Sequence, residues 1–153
     1  MEKFESTNNE TRKHILQVNK FISIFISELL KRGNEHDITK LEHPEVEIFS
    51  EYTPKLAAST YGSEEYKNFL KEMGVALDHH YKNNRHHPEY HKNGIKDMTL
   101  IDIIEMFCDW KAASMRHNNG DMLSSIEKNK DRFKYSDELM QIFKNTMYIL
   151  ENN

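Results

Sequence analysis

Nine histidines in 153 residues, several set beside acids, are the side chains in this chain best suited to chemistry. They occur as His36-Asp37, His79-His80 and His86-His87, with Asp109 further on. Imidazole and carboxylate together suit a divalent transition metal (Mn, Fe, Co, Ni or Zn) rather than Ca. A single cysteine, Cys108, leaves no CxxC zinc motif and no intramolecular disulfide. Each piece alone has an ordinary alternative. A His-Asp pair can be a solvated helix end. His14, one turn before Val18 at the edge of an apolar face, can pack its ring. Asp109, within FCDWKAAS, is costly to bury without a partner. A metal would satisfy it, and so would Lys111 or Arg116.

Spacing sorts the middle histidines. His80 follows Leu77 by three residues and Met73 by seven, so it shares their inward stripe. His79 is rotated away by about 100°. His86 and His87 are adjacent on an expected loop, where both can reach one ion. Glu105, one turn before Asp109, can orient a histidine or serve as a general base. Arg85 and Arg116 are candidate phosphate clamps, because guanidinium pairs bidentately with phosphate, or else surface charges. His91 and His117 read as solvated, and His43 as a helix-start residue.

The elements that must carry these residues read as helices throughout. Thr7 with Glu10 is a capping-box pattern, opening a helix that buries Ile15, Val18, Ile22, Phe25, Ile26 and Leu29 and stops at Gly33. A short element then holds His36, Asp37 and Lys40. Pro44 starts a helix to about Ser59 that buries Val46, Phe49 and Leu56, with a bend or break at Pro54. One helix is expected from Ser63 to about Asn83, then a loop to Met98, the longest irregular stretch. Thr99 with Asp102 opens a helix to about Arg116, with Ile103, Ile104, Phe107 and Trp110 inward. After a turn at Asn119-Gly120, helices cover 121–129 and 136–151, the last with Tyr135, Leu139, Ile142, Phe143, Met147 and Leu150 in the core. No alternating strand pattern competes, and three Pro and five Gly are too few for a linker. The fold class is all-α, one domain over 1–153, with a motif-bearing core at about 10–117 and C-terminal helices at 121–151.

HILQVNKF, then EHDITK, then CDWKAAS resembles the HD superfamily of metal-dependent phosphohydrolases. That resemblance implies a helical bundle whose divalent metal is held by His14, His36, Asp37 and Asp109. The HHYKNNRHHPEY segment supplies the further histidines of members with two ions, here His80, His86 and His87. Asp37 would then bridge the ions. HDITK is similar to the HDIGK of the HD-GYP branch, which implies a phosphate contact for Lys40. The GYP signature is missing, since HKNGIKDM follows HHPEY, so cyclic dinucleotide specificity does not carry over. The implied activity is hydrolysis of a small phosphoester, often a nucleotide. The HD…K, HHPE and EM-CDW-AA pattern also resembles an uncharacterised family of small phage and bacterial proteins, with no activity to lend.

Composition limits the remaining classes. With 37% hydrophobic residues there is material for one core. A net charge of −4 and pI ≈ 6.1 argue against a general nucleic-acid surface. Mean hydropathy of −0.82 is polar, but periodic Phe, Tyr and Met argue against disorder. The most apolar stretch, Phe21 to Leu30, is too short to span a bilayer and contains Glu28. MEKFESTNNE lacks the basic-then-apolar order of a secretory signal, so the expected setting is a cytoplasm, which the resemblance to phage and bacterial proteins implies is that of a bacterium or a phage-infected host. The competing functions are an enzyme, a non-catalytic metal or nucleotide binder, and a structural bundle merely rich in histidine.

Overall fold

Residues 2–60, 62–116 and 120–151 are described by a computed structural model, and among them there are seven α-helices and no strand. These are α1 (Glu2–Glu35), α2 (Glu45–Ala58), α3 (Glu64–Glu72), α4 (Gly74–Asn83), α5 (Leu100–Ser114), α6 (Met122–Phe133) and α7 (Asp137–Glu151). Short 3-10 turns occupy Ile38–Leu41, Pro88–Tyr90 and Gly94–Asp97. None of the described helices is long and apolar enough to cross a membrane. His117 and Asn119 lie outside the described residues.

Contacts divide the chain into two compact units, Met1–His36 and Asp37–Asn153. The first is α1, and it departs from expectation at both ends. Thr7 is interior to the helix rather than its cap, and its carbonyl accepts from the Thr11 hydroxyl. Gly33 stays helical instead of terminating it. A lone helix has no second layer of its own, so Ile15, Val18, Ile22, Phe25 and Ile26, expected to be buried, are open to solvent.

The second unit has its main apolar core among α5, α6 and α7. Met106, Phe107, Met122, Ile126, Tyr135, Phe143 and Met147 are buried there. The Phe107 and Phe143 rings stack at 5.2 Å, and Tyr135 meets Phe143 edge-on at 5.4 Å. The Tyr135 hydroxyl donates to the Ile126 carbonyl at 2.5 Å, so the ring is buried with its polar end satisfied. Ile142, Leu150 and Ile104 were expected in this core and are exposed instead. Each stripe is wider than the surface its neighbours cover.

The other half of this unit builds the scaffold for the histidines. α2 runs through Pro54 without a break, with Val46, Phe49 and Leu56 half-buried. The helix expected over 63–83 is two helices that meet at Met73-Gly74, where glycine weakens helical continuity. Ser63 caps α3 by accepting from the Tyr66 amide. Met73 and Ala76 are fully buried and set the inward face of α4. The 83–98 segment is irregular, as expected, with the two 3-10 turns inside it.

Candidate metal centre

Asp37 opens the second unit with a left-handed backbone, φ 55° and ψ 18°. Asp tolerates this conformation better than most residues. The turn Ile38–Leu41 follows, closed by the Lys40 amide donating to the Asp37 carbonyl at 2.9 Å. Lys40 then folds back, its ammonium 2.5 Å from Asp37 Oδ2 and 5.0 Å above the Phe49 ring. One carboxylate oxygen is thereby neutralised, and Oδ1 is left to face the histidines.

Two imidazoles meet that oxygen, and a third joins them through His80. His80, from the inward face of α4, places Nε2 3.2 Å from Asp37 Oδ1. His86 Nε2 lies 3.4 Å from the same atom. His87 Nε2 is 2.9 Å from His80 Nε2. One ligand atom from each of Asp37, His80, His86 and His87 falls within 4.8 Å of the others. Ligands about 2.1 Å from a common ion stand roughly 3.0–3.4 Å apart in tetrahedral or octahedral geometry. The observed separations match, so the donor set fits a divalent transition ion.

The far nitrogens fix the tautomers. Glu45, fully buried at the start of α2, takes His80 Nδ1 on Oε2 at 2.9 Å and His79 Nδ1 on Oε1 at 2.7 Å. With Glu45 accepting on both oxygens, each Nδ1 carries the proton and His80 Nε2 presents a lone pair to the cluster. Asn84 donates its amide to Thr39 Oγ1 and the His80 carbonyl, closing the same corner. Glu105, buried on α5, takes His86 Nδ1 at 3.1 Å, the contact of a carboxylate that orients an imidazole. Burial first, then the neighbouring His86 and His80, pushes His87 down to about 2, so its ring is neutral and available as a ligand.

The remaining expected residues are distributed unevenly. Asp109 is half-buried on α5, with a carboxylate oxygen within 4.8 Å of one of Asp37. His79 is turned from the cluster onto Glu45. Arg85 is held by Asp102 in a two-pronged pair at 3.3 and 3.2 Å, which raises its pKa, and its guanidinium lies 5.4 Å over Tyr90. Asp102 also closes the capping box with Thr99 that starts α5. Arg116 is exposed. His91, expected to be solvated, is half-buried and donates from Nε2 to the Arg85 carbonyl. His43 is exposed beside Glu47. His36 closes the first unit, one peptide bond from Asp37. His14 is exposed on α1, about 30 Å of helix axis before that end, so His14 and His36 cannot share an ion in this conformation.

Glu45 is the residue that sequence reasoning missed. In PEVE it reads as an ordinary acid at a helix N-terminus, complementing the dipole. Only the fold shows that α4 brings two histidines to it.

A family model matches residues 3–153, and so takes in every member of this cluster. The chain belongs to DUF5662, a family of unknown function. No curated protein and no solved structure matches it. For this DUF5662 member the buried His/Asp cluster is therefore the main guide to chemistry, and Glu45 offers a direct check of it. Glu45→Gln keeps the shape but offers one acceptor oxygen and an NH2 group to two Nδ1–H donors. Cobalt affinity in a competition titration should fall by about 10–100-fold, the usual effect of losing such an outer partner. Unchanged affinity would show that Glu45 does not hold the ligands.

Proposed function

We propose that this chain is a divalent-metal-dependent phosphohydrolase acting on a nucleotide or another small phosphoester in the cytoplasm. The observation that carries the reading is the cluster itself: His80 and His86 place Nε2 3.2 and 3.4 Å from Asp37 Oδ1, His87 Nε2 lies 2.9 Å from His80 Nε2, and all four residues offer a ligand atom within 4.8 Å of the others. The order of the motifs, like that of the HD superfamily, adds the reaction class. His80, His86, His87 and Asp37 are the ligands, and Asp109, near Asp37, is the candidate for a second ion, with His36 adjoining Asp37 in the chain. Bound there, a divalent ion supplies Lewis acidity at neutral pH, acidifying coordinated water and polarising a phosphoryl oxygen. Glu105 and Glu45 hold the imidazoles in register. Lys40 balances Asp37 and is the candidate contact for a non-bridging phosphate oxygen.

The test is a screen of nucleotides and a model phosphodiester with Mn²⁺, Co²⁺ or Ni²⁺ added. Metal-dependent hydrolysis that disappears in Asp37→Asn is expected, read as phosphate from the nucleotides or as the alcohol freed from the diester. A metal-loaded protein that turns over none of them supports a second reading, a non-catalytic metal or nucleotide binder. One feature favours that second reading: Lys40 and Arg85, both candidates for phosphate, are engaged by Asp37 and Asp102.

A further inference from the structure

Between residues 15 and 29, α1 carries Ile15, Val18, Ile22, Phe25 and Leu29 at alternating steps of three and four. That is the seam of a heptad repeat, with Ile15, Ile22 and Leu29 at one core position and Val18 and Phe25 at the other. No charged residue stands at a seam position in this stretch. Four of the five are exposed, Ile15 by 51%, Val18 by 40%, Ile22 by 49% and Phe25 by 51%. Phe21 and Ile26, exposed by 53% and 52%, flank the seam and broaden it. The helix forms a unit by itself. At 34 residues it is roughly 50 Å long, and a helix in water draws most of its stability from a packed apolar face.

We infer that α1 is a dimerisation element, its seam covered by the same seam of a second copy of this chain in a parallel, in-register coiled coil. Three observations favour a copy of itself over another occupant. A heptad seam is self-complementary, because each of its side chains fits between the same residues of the other copy. In a parallel pair, Phe21 of one copy falls beside Ile26 of the other, while His14 faces Asn19 and Glu28 faces Gly33, so no like charges oppose. The area is also sufficient. Six half-exposed large apolar side chains, with the stems around them, offer on the order of 600–800 Å² per copy, close to the ~800 Å² that each partner of a standard interface buries.

The test is the mass of the full chain in solution, by light scattering on a sizing column at micromolar concentrations. About twice 18.2 kDa is expected, falling to one chain in the Ile22→Lys/Phe25→Lys variant. A wild type that runs as one chain throughout, with α1 covered by its own chain or by a different protein, overturns the inference. A double variant that keeps the twofold mass overturns it too. A second variant does not depend on disrupting the helix: Val18→Cys in a Cys108→Ser background. Mild oxidation should link the two copies through residue 18, which parallel, in-register seams bring together. Failure to link while the mass is twofold overturns the parallel seam.

Discussion

Replacing His80 with alanine should abolish tight binding of a divalent transition ion and leave the helical fold in place. His80 is the hinge of the cluster. Its Nε2 lies within 2.9 Å of His87 and 3.2 Å of Asp37, and its Nδ1 is pinned by Glu45. Losing an outer partner such as Glu45 costs about 10–100-fold in affinity, so losing the ligand itself should cost more than the top of that range. The fold should weaken by about 1–3 kcal/mol, because the buried Glu45 loses one of its two donors. Calorimetric titration with Co²⁺ and a circular dichroism melt read the two effects separately. Asp37→Asn makes a useful companion, since Asn also tolerates the left-handed backbone at this position while removing the anionic ligand. Near-wild-type affinity in both variants would remove the cluster from consideration.

Phe143→Ala should give the largest loss of stability, about 3–5 kcal/mol, from lost burial and the cavity left behind. Phe143 stacks on Phe107, receives the edges of Tyr135 and Trp110, and is buried between α5 and α7. Its neighbour Ile142 is exposed, so Ile142→Ala should stay within about 0.5 kcal/mol. Urea midpoints of the two variants make the comparison. Equal losses would mean that the α7 face is assigned wrongly.

Ile142 and Phe143 also show where the sequence stops being legible. Three-and-four spacing correctly reads α7 as a helix, but both residues lie on its apolar side. Only the placement of α5 and α6 decides which one is covered. The caps at Ser63 and Thr99 are local hydrogen-bonding patterns, so they can be read from a few residues. Thr7-Glu10 has the same pattern and caps nothing, because α1 already runs on both sides of it. Within the cluster, His80 follows from its inward stripe and His86-His87 from their adjacency. Glu45 does not, since 34 and 35 residues separate it from the histidines it holds. Arg85 looks equally free in the sequence, and only the fold shows Asp102 opposite it.

Whether the cluster holds a metal is measured directly by elemental analysis of the purified, untagged chain. The protein should be prepared without chelators, stripped, and then reloaded with Mn²⁺, Co²⁺, Ni²⁺ or Zn²⁺ in turn. At least one transition ion per chain is expected, retained through gel filtration and absent from the His80→Ala variant treated alongside. A wild-type chain that keeps no ion from this series, and whose melting temperature does not rise when one is added, would contradict the account.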